Sequence, residues 1–276
     1  MLSKLLKHEF RATGRTMLPV YAAVVVLAVL ANFSIRVIDR SVHTLVTIFC
    51  GLIIAAFIIG IIAAGIMTLV MMIKRFYTNY LKDEGYLMHT LPVSVHELVW
   101  SKMIVSVVWF ICTFLVIWLV IILTALFQSG TNLAEIFADL PSWAEIREGL
   151  NQYGIRMGDL WVIGLETLLA IIVGGLFTCL HFYAAMSLGH MFSKDKILLS
   201  IVFFVGISFV LSLATTGYST GRFVASGGAD YILETAQEAI RLGKAILAEM
   251  LAIELVQSAV LYIATVLGLK RGLNLA

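Results

Sequence analysis

The stretch TIFCGLIIAAFIIGIIAAGIMTLVMMI, Thr47–Ile73, runs from end to end without a charged residue. A helix rises 1.5 Å per residue, so about 20 apolar residues cross the roughly 30 Å hydrocarbon core of a bilayer. This stretch is longer than that. It also lacks the apolar–polar alternation of a barrel strand, and backbone in lipid must satisfy its own hydrogen bonds, so a transmembrane helix is expected. Outward from it, five more runs read the same way: Met17–Phe33, Met103–Phe127, Leu160–Leu188, Ile197–Thr215 and Ala245–Leu269. The composition agrees. It is 61% hydrophobic and 13% charged, against about 45–50% and 25% in soluble domains. The sequence predicts an all-α membrane protein with six transmembrane helices.

The 19 Lys and Arg residues are unevenly distributed. Lys4, Lys7, Arg11 and Arg15 precede the first span. Lys74, Arg75, Lys82 and Lys102 lie between the second and third, Lys194 and Lys196 between the fourth and fifth, and Lys270 and Arg271 follow the sixth. The other three loops carry Arg36, Arg40, Arg147, Arg156, Arg222, Arg241 and Lys244. Per loop residue the bias is about twofold, and the positive-inside rule then predicts both termini in the cytoplasm. The net charge of +2 gives no reason to expect nucleic acid; the partner the composition demands is the lipid bilayer. Cys50, Cys112 and Cys179 fall inside or at the edge of apolar runs, where buried free thiols are expected. Val29-Leu30-Ala31 is a tolerable leader-cleavage site, but the charged lead and five later spans favour a retained first helix.

The lead MLSKLLKHEFRATGR places Leu2, Leu5, Leu6 and Phe10 on one helical face and Lys4, Lys7, His8, Arg11 and Arg15 on the other. Residues 1–16 are therefore expected to form an amphipathic helix at the cytoplasmic membrane surface, ahead of one membrane domain over 17–276. Ala56, Gly60, Ala64 and Thr68 put a small residue at every fourth position of the second span, suited either to close packing within the chain or to dimer contact. In the outer loop at about 128–158, apolar residues at helical spacing on both sides of Pro141 predict two short amphipathic helices. The outer loop at about 217–244 opens on GYSTGRFVASGG, expected to be flexible, and turns helical after Asp230.

A second stretch, DEGYLMHTLPVSVHELVWSK, Asp83–Lys102, is polar where its surroundings are not. Ser94 and Glu97 form a capping box, with Val93 and Leu98 at the positions of a hydrophobic staple. Pro92 disfavours helix at Leu91. The loop at about 80–94 is thus expected to hold a short cytoplasmic helix around Lys82–His89, a break, and then a firmly capped third span. Such a rigid charged helix is suited to receive a push from a soluble partner.

With the basic amphipathic lead and six spans, this stretch resembles the ABC type-2 exporter permeases, and most of all the permease subunits common in Gram-positive bacteria. Their run of DEGY, then TLPV, then SK follows the second span. The resemblance in architecture covers the chain; the specific motif covers about twenty residues. It implies a coupling helix docking on an ATPase, with Asp83, Glu84, Gly85, Tyr86 and His89 at that interface. It further implies a bacterial cytoplasmic-membrane location, re-entrant outer helices in the loop at 217–244, and a second permease chain, identical or related. No G-x-x-x-x-G-K-[ST] and no LSGGQ-like signature occurs. ATP and Mg are therefore expected on a separate ATPase chain, with no cofactor bound by this one and no catalytic role for it.

Ionisable residues inside spans are costly and are candidates for function. Glu254, Ser258 and Tyr262, with Thr265, recur at helical spacing in the sixth span, and Ser208 and Ser212, with Thr215, form a weaker stripe in the fifth. These are the candidate translocation-path residues. Glu166 and Glu249 are further intramembrane carboxylates. For all of them a polar path and interhelical hydrogen bonding stand as alternatives. No metal site is expected, since His96-Glu97 lacks the second histidine of H-E-x-x-H. The expected function is export of a hydrophobic or amphipathic substrate such as a peptide, lipid or drug. The alternatives are a non-transporting assembly or immunity subunit, and a gradient-driven secondary transporter, whose charged pairs and broken helices are scarce here.

Overall fold

The structure is a computed structural model; it describes residues 2–40, 43–81, 94–129, 141–192, 194–225 and 235–271. The elements are α1 (Leu2–Arg40), α2 (Thr44–Phe76) closing in a π turn (Tyr77–Leu81), α3 (Val95–Ser129), α4 (Trp143–Gln152), α5 (Met157–Gly189), α6 (Lys196–Ala225) and α7 (Ala236–Arg271). No strand occurs among the described residues. Six helices are long and apolar enough to cross a membrane, which makes this a multi-pass membrane protein. Their outer surfaces agree: Ile58, Ile59, Ile62 and Ile66 of α2 are each more than half exposed, an apolar face suited to lipid.

Three boundaries differ from the sequence expectation. The lead over 1–16 and the first span form one helix, α1, which continues through Pro19. Loss of the proline donor is tolerated within packed membrane helices, where neighbours can satisfy the freed carbonyl. The fifth span runs on through Gly217 and Gly221 to Ala225 instead of ending at Thr215 in a flexible loop. Helical penalties for glycine shrink in lipid, where no water competes for the backbone. The described parts of the loop at 217–244 are thus continuations of α6 and α7, and no separate re-entrant helix occurs among them. Of the two short helices expected around Pro141, α4 is present, opened by a Ser142–Glu145 capping box. It closes through Gly154 in the left-handed region (φ 70°), whose N–H donates to Asn151 while that of Ile155 donates to Leu150. The other expected helix lies outside the described residues.

Contacts divide the chain into two compact units, Met1–Arg75 with Trp100–Leu140, and Phe76–Val99 with Pro141–Ala276. The first unit packs α1, α2 and α3. Val24, Ala28 and Ala31 of α1 meet Phe57 and Ala64 of α2 and Val120 of α3. Gly60 lets Leu27 approach so closely that an added Cβ would lie 2.9 Å from its Cδ1. With Thr68 hydrogen-bonded to Thr113 of α3 at 2.8 Å, the small-residue stripe serves packing within the chain from Gly60 onward.

Polar side chains tie the same helices together. Lys102 Nζ and Glu9 Oε1 form a buried ion pair at 2.5 Å. Trp109 Nε1 donates to Thr13 at 2.7 Å, and Tyr21 and Thr113 share a hydrogen bond of 2.7 Å. Leu6 and Phe10, expected to face lipid, pack instead on the cluster of Met17, Tyr21, Met71, Val105 and Trp109. The amphipathic lead is therefore at least partly an internal helix.

In the second unit, α5 is the central helix, packed on both α6 and α7. Two glycines permit this. A Cβ on Gly189 would lie 2.7 Å from Ser200 Cα of α6, and one on Gly268 of α7 would lie 2.8 Å from Ser187 Oγ of α5. The end of α2 and its π turn direct aromatic rings at α5: Phe76 stacks on Tyr183 at 3.9 Å, and Tyr77 lies edge-on to His190 at 5.5 Å. Tyr80 donates to Leu98 O of the first turn of α3 at 2.9 Å.

Removing one partner of a buried ion pair leaves the other charge uncompensated, at a typical cost of about 3–5 kcal/mol, whereas removing both is far milder. Glu9→Leu or Lys102→Met alone should therefore lower the unfolding midpoint in detergent sharply, and the double variant should recover most of the loss. A double variant as unstable as the worse single one would show that the pair does not organise the first unit.

Candidate functional site

A cavity of about 1020 Å³ lies within the second unit, walled by α6 and α7 and by Phe177 and His181 of α5. Its lining joins two polar stripes that are separate in the sequence. From α6 come Ser208, Ser212 and Thr215, and from α7 Glu249, Glu254 and Gln257. Helical periodicity explains the grouping, since residues three and four apart share a face. Running antiparallel, α6 and α7 turn these faces toward each other, and Thr215 and Gln257 meet at 2.8 Å.

The lining is bonded at several levels. Nearest the α6–α7 connection, Glu249 Oε1 accepts from Tyr218 Oη and from Arg222 Nη1, each at 2.5 Å. Next, Gln257 Nε2 donates to Thr215 at 2.8 Å. Deeper along α6, Ser208 Oγ lies 3.1 Å from His181 Nε2 and donates to Phe204 O at 2.7 Å. His181 in turn stacks on Phe204 with ring centroids 4.5 Å apart. Glu254 is the exception. It is half-buried, and no hydrogen bond or ion pair to it occurs among the described residues. One of its oxygens lies 3.8 Å from where a Cβ on Gly174 would sit, which places the carboxylate beside the α5 backbone at that glycine.

The structure thus sorts the candidates. Ser208, Ser212 and Glu254 meet at the cavity, whereas Ser258 and Tyr262 are not part of its lining. Ser258 is buried, and its hydroxyl has no partner among the described residues. Tyr262 shares a hydrogen bond of 2.6 Å with His96 Nδ1, and Lys270 Nζ lies 3.4 Å from the other ring nitrogen. Glu249 serves the interhelical bonding that stood as one of its two readings. One oxygen of Glu166 is buried without a partner among the described residues.

The Ser94–Glu97 capping box is formed: Glu97 N donates to Ser94 Oγ at 3.2 Å, and Ser94 N donates to Glu97 Oε2 at 3.3 Å. Asp83, Glu84, Gly85, Tyr86 and His89 lie outside the described residues. No cluster of three or more possible metal ligands occurs among those described.

Sequence reasoning missed Tyr218, Arg222, Gln257 and His181. Tyr218 and Arg222 continue the stripe of Ser208, Ser212 and Thr215, a signal hidden by ending the span at Thr215. Gln257 lies one turn after Glu254 and could have been found from that spacing. Comparison of the chain with known protein families, with characterised proteins and with solved structures gives no match.

These bonds separate two carboxylates that look alike in sequence. Interhelical hydrogen bonds in membranes average about 0.6 kcal/mol and reach about 1.7. Glu249→Leu strands Arg222 and Tyr218 and should lower the unfolding midpoint and the protein's abundance. Glu254→Leu removes no bond seen here and should leave both near wild type. Equal destabilisation by the two variants would mean that Glu254 is interhelical glue after all.

Proposed function

We propose that the chain is the membrane-spanning permease subunit of an ABC-type exporter. In this reading it lies in a bacterial cytoplasmic membrane with both termini inside, and ATP and Mg are handled by a separate ATPase chain. A second permease chain completes the path, and the substrate is hydrophobic or amphipathic: a peptide, lipid or drug. The observation that carries the proposal is the cavity among α5, α6 and α7. Apolar helices converge there on hydroxyls, an amide and carboxylates, and Glu254, to which no bond occurs among the described residues, is costly in lipid unless water or a solute meets it. The motif Asp83–Lys102 and the bias of basic residues support the same reading.

The second unit also supplies a route for coupling. The segment 82–93, expected to meet the ATPase through Asp83, Glu84, Gly85, Tyr86 and His89, is flanked on both sides by anchored residues. On one side Tyr80 bonds to Leu98 O. On the other, the first turn of α3 is capped by Ser94 and Glu97 and joined through His96 to Tyr262 of α7. Glu254 stands about two turns before Tyr262 on the same helix. A displacement of the segment therefore acts on the helix that carries the cavity's carboxylates, through a contiguous set of bonded groups.

The deciding experiment is co-purification of the detergent-solubilised protein with an ATPase whose sequence contains a P-loop, followed by reconstitution and measurement of ATPase stimulation. Ser94→Ala removes a helix cap worth about 1 kcal/mol, and Tyr262→Phe removes the bond to His96. Both should reduce stimulation while leaving insertion intact. Unchanged stimulation in both would remove the coupling route, and no associated ATPase would remove the function. In a background lacking the native cysteines, a cysteine at Glu145 should react with an impermeant reagent added outside, and one at Asp83 should not. The reverse pattern would overturn the orientation.

A further inference from the structure

We infer that the cavity among α5, α6 and α7 is a binding site for an amphipathic organic cation, with Glu254 as its counter-charge. The inference rests on the permease reading for its biological meaning and narrows the substrate class.

Charge comes first. The ionisable residues of the lining, apart from His181, are Arg222, Glu249 and Glu254, with Tyr218 beside them. Arg222 and Glu249 neutralise one another in an ion pair of 2.5 Å that also occupies the Tyr218 hydroxyl. What remains is the carboxylate of Glu254, with no bond or ion pair to it among the described residues. Beside low-dielectric apolar groups an unpaired carboxylate attracts a cation more strongly than it would in bulk water. The Arg222–Glu249 pair keeps the guanidinium from repelling such a ligand.

Space comes second. The volume of about 1020 Å³ lies near the upper end of cavities that hold drug-sized ligands, roughly 300–1,000 Å³. The chemistry of the remaining wall comes third. Phe177, Leu211, Met250 and Ile253 offer an apolar surface for the ligand's body. Ser212 and Thr216 offer hydroxyl groups that can accept from an ammonium or guanidinium N–H. A simple metal ion would leave the apolar wall unused, and an anion would meet Glu254.

The test uses the purified full chain in lipid nanodiscs, without ATPase, and two probes of nearly equal shape and opposite charge: tetraphenylphosphonium and tetraphenylborate. Binding is measured by titration calorimetry against empty nanodiscs, which removes partition into lipid. Saturable binding is expected for the cation and not for the anion. Glu254→Gln, shown by its melting curve to be folded, should weaken cation binding by about tenfold or more, the scale of a lost bond to a charged group. Glu254→Asp, which keeps the charge, should stay within about threefold of wild type, or roughly half that free-energy scale. Absence of saturable cation binding, equal binding of the anion, or wild-type affinity in Glu254→Gln would each overturn the inference. Because no ATPase is present, a failure here leaves ATPase association standing, and a failure of that association leaves the binding result standing.

Discussion

A polar group inside a helix bundle surrounded by lipid has no water to turn to, so its partner must be another protein group or a ligand. That constraint organises both units. In the first, the Glu9–Lys102 ion pair and the Thr13–Trp109 hydrogen bond join α1 to α3, and the Thr68–Thr113 bond joins α2 to α3. In the second, most of the polar groups around the cavity are likewise consumed by one another. The groups left over, above all Glu254, are therefore the ones that carry information about a ligand.

Close approach of helices is the other half of the design. Between membrane helices there is no hydrophobic drive comparable to that in water, so packing itself must supply the attraction. Gly189 and Gly268 sit where a neighbouring side chain and backbone press against the helix, and a single added carbon would force the pair apart, whereas at Gly60 it would meet the flexible tip of Leu27. At Gly174, by contrast, an added Cβ would meet Glu254 only at an ordinary contact distance of 3.8 Å.

The two units divide the chemistry as well as the contacts. Buried charge in the first is paired internally, and its small-residue stripe is occupied by its own helices. The second holds the cavity, the capped start of α3 and the aromatic π turn. The helix α7 carries both the residue bonded to His96 and the residues lining the cavity, so one rigid element links them.

How much of this was legible beforehand follows from what is local and what is not. Apolar run length is a local property that lipid thickness makes decisive, so Thr47–Ile73 and its five counterparts were readable as membrane helices. The Ser94–Glu97 box was readable for the same reason, because both partners lie within one turn. The amphipathic pattern of the lead was read as well, but its occupant was not: only the fold could place Phe10 against Trp109 rather than lipid. Gly217 and Gly221 misled because their cost to a helix was weighed as in water, which concealed Tyr218 and Arg222. In the stripe Glu254–Ser258–Tyr262, spacing gave a shared face, yet that face meets the cavity at Glu254 and His96 at Tyr262. By itself the sequence determined which segments enter lipid, since that depends on each segment alone. Which polar side chains find partners, and which carboxylate is left facing a cavity, only the tertiary structure decided, because the answer lies on other helices.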